Sequence, residues 1–247
     1  NGASPVPGWS NDFRWQGYIP FDEWPKSFNP KKGFIVTANN KVADANYKYF
    51  ISNDWAPSAR AERIDELIQA RISKKVPISI TDIASMQADQ VDLSAKKLIT
   101  ILSAAQIDGA LEKRAQSLLL NWQGEMAAKS NAASLFNAWT RHIRVHLFED
   151  ELSGYWREQA LHTILDAMVG GTTNDDILKA LTERSLDWCD DVRTSKKESC
   201  NDVLALSLTD AVQELLKLDG PDIDAWCWEC VHRTQYQHTP FSDVKLL

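Results

Sequence analysis

The chain has 247 residues, 44% of them hydrophobic and ten of them Trp, enough to close a substantial core in one large domain or two. A formal charge of -7 and a pI near 5.3 argue against a nucleic-acid partner, because a phosphate-binding surface needs a concentrated Lys/Arg patch. The short clusters Lys74-Lys75, Lys96-Lys97 and Lys196-Lys197 read instead as solvated helix ends or loops, and no apolar run approaches the ~20 residues of a membrane helix.

The chain opens at Asn1 with neither an initiator Met nor a signal peptide and stops abruptly after Leu247, which points to a processed or excised fragment. Up to about Trp55 it is rich in Pro, Gly, Asn and aromatics without helical period. Gly33-Phe-Ile-Val-Thr-Ala38 is the one strand-like run, apolar and β-branched. Residues 1–55 are therefore expected as an extended and strand segment, whose Trp9, Phe13, Trp15, Trp24 and Phe28 need a surface to pack on, supplied by the helices or by another chain. Residues 56–247 are expected as a helical lobe, so the fold class is mainly α with an N-terminal β/extended segment.

Within the lobe, Ile64, Leu67, Ile68 and Ile72 recur at helical spacing on a helix that Pro57-Ser58 starts and that ends before Pro77. Ser79-Ile-Thr-Asp82 has the capping-box form and predicts a second helix running, with room for a break, to Leu102. Asp108-Gly109 marks a turn or helix entry. Further helices are predicted from Leu111 to Trp122, Ala133 to Phe148, Tyr155 to Val169, Asp175 to Leu186, Asn201 to Leu218 and around Ile223 to Tyr236, punctuated by Gly170-Gly171 and Asp219-Gly220-Pro221.

All four cysteines fall in the last quarter, at Cys189, Cys200, Cys227 and Cys230. Cys189 and Cys200 flank the polar loop DDVRTSKKES between two helical patterns. A bridge between them would close a short hairpin, contribute roughly 3 kcal/mol at most, and favour an oxidising compartment. Cys227, Cys230, His232 and His238 offer two thiols and two imidazoles that could satisfy zinc, but their spacing is not that of a finger, and Val231 breaks the haem-attachment pattern. His142 and His146 would share a helix face, yet Ile143 stands where a zinc protease needs Glu, so they read as a satisfied or solvent-facing pair. Trp139 and Trp156 read as core.

The segment PVPGWSNDFRWQGYIPFDEWPKSFNPKKGFIVTANNKV, Pro5 to Val42, followed by SARAERIDELI with Arg60, resembles the penicillin acylase (penicillin amidase) family of N-terminal-nucleophile hydrolases. The paired amide Asn39-Asn40 carries the resemblance. Chemistry alone reads it as a turn, since Asn tolerates the left-handed region. The resemblance implies instead that Asn39 completes the oxyanion hole, an amide being an uncharged donor suited to a tetrahedral acyl intermediate. It implies that Arg60 sits beside that Asn and assists by position and charge, and that the whole is part of an αββα fold with an appended helical lobe. WCWECVHRTQYQHTPFS and the Cys189 to Cys200 loop look like the branch acting on acyl-homoserine lactones and lipopeptides, with His232 and His238 read as structural.

In this family a Ser, Thr or Cys at the N-terminus of the large subunit attacks a linear amide, with its own α-amine as base. The chain begins with Asn1, and Ser4 and Ser10 are internal, so the resemblance implies a nucleophile outside this chain and no amide hydrolysis by the chain alone. Its partners would be the small subunit, the remainder of the large subunit and a small-molecule amide, in the periplasm or outside the cell. The family commonly binds calcium, but its ligands would lie mostly outside this chain, Asp44 and Asp54 being out of register; no cofactor or metal ligand is assigned here. The competing class is a non-catalytic helical module whose Trp-rich segment docks a partner.

Overall fold

The computed structural model describes residues 5–156, 159–183, 187–234 and 236. Their architecture is mainly helical: α1 (Ala59–Ile72), α2 (Ile80–Gln87), α3 (Leu93–Leu102), α4 (Ala110–Asn121), α5 (Asn131–Trp156), α6 (Gln159–Gly171), α7 (Asn174–Thr182), α8 (Cys200–Leu218) and α9 (Trp228–Val231). The chain divides into two compact units, one ending at Asp89 and the other starting at Gln90.

The first unit has little core. Before α1 the chain makes one 3-10 turn, Phe21–Glu23, and otherwise runs irregularly. Tyr47 and Tyr49 hold that turn by donating their hydroxyls to the carbonyl and the carboxylate of Glu23, and Lys48 pairs with the same carboxylate. The run from Gly33 to Ala38 is not a strand. Its burial alternates residue by residue from Phe34 to Ala38, as in an extended chain, but it forms no ladder, because the described residues of this unit offer no neighbouring strand to take its N–H and C=O groups.

α1 follows Ser58 and ends well before Pro77, as the sequence predicts. The Ser79 capping box is formed, the Asp82 N–H donating to Ser79 Oγ at 3.1 Å and the Ser79 N–H to Asp82 Oδ2 at 2.8 Å. Arg71 in the last turn of α1 grips the same carboxylate, Nε to Oδ1 at 2.7 Å and Nη2 to Oδ2 at 2.8 Å, and holds it well below the usual carboxylate range. Arg63 forks onto Asp89 in the same way, at 2.8 and 2.7 Å. Charged clasps, more than apolar burial, tie this unit, in which only Ala38 and Ala61 are buried among the described residues.

The second unit is built on α5, which packs against α4, α6, α7, α8 and α9. Leu135, Trp139, Ile143 and Leu147 fall every fourth residue on one fully buried face of α5, and α8 answers with Leu204, Leu208, Ala211 and Leu215. Trp139 lies in that interface and donates its indole N–H to the Leu204 carbonyl at 3.2 Å, the core role its spacing predicts. The side chain of Trp156 lies outside the described residues.

The predicted helix through Met86 to Leu102 breaks between α2 and α3. There the chain pairs with residues 124–126: Asp92 donates its N–H to Gly124 O at 2.8 Å, and Met126 donates to Gln90 O at 3.0 Å. Gly124 has φ +82°, and a Cβ on it would lie 2.7 Å from the Asp92 carbonyl oxygen, so only glycine fits. Asp92 then caps α3. Capping boxes at Thr173/Asp176 and Ser199/Asp202 start α7 and α8. The long helix expected around Ile223 to Tyr236 is corrected to the four residues of α9; Ile223 and Trp226 are buried in a turn before it, and a Cys227–Cys230 disulfide spans its start. Ser4, the 184–186 part of the helix predicted to Leu186, and His238 lie outside the described residues.

Candidate active-site segment and its surroundings

The segment after residue 33 brings Asn39 and Arg60 together although they are far apart in sequence. Asn39 has φ +61°, a left-handed turn that Asn adopts at little cost, so the turn its residue type predicts is present. The turn is fastened on both sides: Ala38 donates its N–H to Asn40 Oδ1 at 3.0 Å, and Ala56 donates to Asn39 O at 2.9 Å. Arg60, in the first turn of α1, sends Nη2 to the Ala38 carbonyl at 2.8 Å and to Asn39 Oδ1 at 2.5 Å.

That last contact fixes the chemistry of the amide. A guanidinium has only donors, so the end of Asn39 that faces it must be the oxygen, and Nδ2 points the other way. Among the described residues Nδ2 has no hydrogen-bond acceptor, and the side chain is exposed. The result is an uncharged donor whose orientation is set by a cation. Arg60 itself is poorly placed for the α1 dipole, whose N-terminal end favours negative charge; its bonds to Ala38 and Asn39 account for its position.

Asp44 and Asp54, the carboxylates near the Asn pair, are exposed, and neither belongs to a cluster of three ligating side chains among the described residues. Asp44 spends Oδ1 on the N–H of Asn46 at 2.8 Å.

In the second unit Cys189 and Cys200 are joined, with Cα atoms 4.9 Å apart, as the loop between two helices predicts. The loop is pinned from inside: the Asp191 and Glu198 N–H groups donate to Glu198 and Asp190 carboxylates, and the Val192 N–H donates to Asp150 Oδ2 at 2.8 Å. Asp150 is 3% exposed, and beside it Glu151 is pushed up to about 7, first by burial and then by the neighbouring Asp150 carboxyl. The sequence reading missed this acid pair, because it falls between the helices predicted to Phe148 and from Tyr155, a gap that α5 spans.

Cys227 and Cys230 are also joined and so offer no thiolate to a metal, and His232 lies stacked on Trp228, ring centroids 4.3 Å apart. His142 and His146 share a face of α5 and are each satisfied by a carboxylate of α8, His142 Nε2 lying 2.8 Å from Glu214 Oε2 and His146 Nε2 lying 2.7 Å from Asp210 Oδ2. A cavity of about 540 Å³ opens beside His146, lined also by Asp191, Thr194, Glu198 and Thr209. No helix of the described residues is long and apolar enough to cross a membrane.

Comparison with known proteins shows what the chain as a whole is similar to. The family model described as penicillin amidase matches residues 1–246. A penicillin acylase 2 proenzyme of Pseudomonas sp. strain SE83 is 37% identical over 144 residues, covering 58% of this chain and 18% of that protein. The acyl-homoserine lactone acylase QuiP of Pseudomonas syringae pv. tomato is 30% identical over 95% of this chain and 29% of its own length, and QuiP of Pseudomonas aeruginosa 29% identical over 96% and 29%. The chain thus spans less than a third of the curated relatives it matches.

Proposed function

Because this chain belongs to the penicillin amidase family, we propose that it is part of an acylase that cleaves a linear amide through an acyl-enzyme intermediate, and that it supplies the oxyanion-hole donor while the nucleophile lies elsewhere in the protein. One observation carries the reading. Arg60 occupies Oδ1 of Asn39 and leaves Nδ2 aimed away, with no acceptor among the described residues. In the intact enzyme that N–H stabilises the negative oxygen that forms when an N-terminal Ser, Thr or Cys attacks the amide carbonyl, a charge absent from the ground state. Arg60 is a positioning residue: it fixes the amide's orientation, and its charge draws electron density toward Oδ1, making Nδ2–H a better donor.

The strand-forming run from Gly33 to Ala38 takes its place in the sheet of the αββα fold only when the rest of the enzyme supplies neighbouring strands, and the second unit forms most of the helical lobe. The chain alone, lacking the nucleophile, does not turn over amides. Its partners are the small subunit and the remainder of the large one. Exposed Trp9, Trp15, Tyr18 and Phe28 in the first unit are the surface they cover, since aromatic side chains left in water at more than nine-tenths exposure are costly for a stable protein to carry. Two disulfides favour a periplasmic or secreted location. Any calcium of the intact enzyme is bound outside this chain.

The test is Asn39→Ala in the full-length enzyme. The expected fall in kcat is on the order of 10²-fold or more, with KM little changed, because the lost bond belongs to the transition state. A near-normal kcat would remove Asn39 from the oxyanion hole.

A further inference from the structure

We propose that the α5–α8 interface of the second unit holds a divalent transition-metal site, of the zinc class, formed by His142, His146 and Asp210. A ring nitrogen of each histidine and a carboxylate oxygen of Asp210 all lie within 4.8 Å of one another, close enough for a single ion to touch all three. Spacing produces the arrangement. His142 and His146 stand four apart on α5, so both rings leave the same face, and Asp210 and Glu214 stand four apart on α8, which packs against that face. Two such pairs on neighbouring helices converge on one point.

The donor set selects the ion. Two imidazoles with one carboxylate suit zinc and its neighbours in the first transition row, whereas calcium and magnesium want oxygen alone. All four cysteines are bound in disulfides, so no thiolate competes within the described residues. The ligands are partly buried, the His142 and His146 side chains being 25% and 22% exposed, which leaves access for an ion while limiting the water that would screen it.

Glu214 has the outer role. It accepts from Arg141 and hydrogen-bonds the His142 ring, the carboxylate–histidine pairing that fixes a ligating imidazole's orientation. Three protein ligands leave a fourth position for water. His146 borders the cavity of about 540 Å³, so that position is within reach of solvent.

The experiment is Co²⁺ titration of the full-length protein, stripped with chelator, read by visible absorption and competed with Zn²⁺. The expected result is one saturable equivalent that Zn²⁺ displaces, weakened by about tenfold or more in each of His146→Gln and Asp210→Asn. Lys129→Gln, elsewhere in this unit, should leave the titration unchanged. No saturable binding, or the same binding in both site variants, would overturn the proposal. Should a variant fail to fold, X-ray absorption of Zn²⁺ on the unaltered protein decides: two imidazoles in the ligand shell support the site, and none refutes it.

Discussion

The two units of this chain are stabilised by different means. The second unit closes a core in which whole helix faces, Leu135 to Leu147 on α5 and Leu204 to Leu215 on α8, are excluded from water. The first unit buries two alanines and relies on Arg63–Asp89, Arg71–Asp82 and the Tyr–Glu23 contacts, while its largest aromatics stay in solvent. Apolar burial contributes ~25 cal/mol per Å² and needs no second surface once made, whereas exposed ion pairs contribute about 0–1 kcal/mol each. The lesson is that the lobe carries its own stability, while the segment bearing the proposed catalytic donor depends on what it packs against.

The sharpest way to break that contrast is a cavity in the lobe. Trp139→Ala removes a fully buried indole and its bond to Leu204 and should cost ~3–5 kcal/mol in chemical denaturation of the full-length protein. A cost below about 1 kcal/mol would mean the α5–α8 face is not the lobe's core. Next comes the loop staple: replacing Cys189 and Cys200 together with Ser should lose up to about 3 kcal/mol, seen as a lowered denaturation midpoint. Two thiols alkylated at these positions without reduction would refute the bridge itself.

A smaller, pH-dependent effect belongs to Glu151. Its folded pKa, about 7, lies above the ordinary 4.5, so the native state binds the proton more tightly than the unfolded one. This contribution is fully present below the ordinary value and is lost as pH rises through about 7. Glu151→Gln should therefore leave Tm near its parent value at pH 4.5 and raise it relative to the parent at pH 8. Parallel Tm profiles would contradict the shift. The smallest effect is expected in the first unit, where Trp15→Ser should change stability by no more than about 0.5 kcal/mol in the isolated chain. In the full-length protein the same change should cost more, if partners cover that surface; equal effects would show that they do not.

How far the sequence reaches differs between these regions too. Helices were legible because their signals are local: Ser79 meets a carboxylate three residues on, and Thr173 and Ser199 carry the same signal although the sequence reading did not use it. Features that depend on distant partners were not. The run from Gly33 to Ala38 has strand composition but forms no ladder with any described residue, and although a break before Leu102 was allowed for, its place is set by pairing with Gly124 to Met126. The long final helix gives way because Ile223 and Trp226 anchor a turn and the cysteine pair is joined. In the candidate site Asn39 and Arg60 were legible only by resemblance, since a turn Asn and a helix-start Arg look ordinary alone. The carboxylate partners of His142 and His146 needed the α5–α8 pairing to be seen.

The central claim is that Arg60 acts through the amide of Asn39, and a double-mutant cycle on kcat of the full-length protein tests it most directly. Arg60→Ala should slow the enzyme when Asn39 is present and do far less in the Asn39→Ala background, a coupling of about 0.5–3 kcal/mol. Strictly additive losses would show that the two residues act independently, and the geometry of the turn would then have no bearing on the oxyanion.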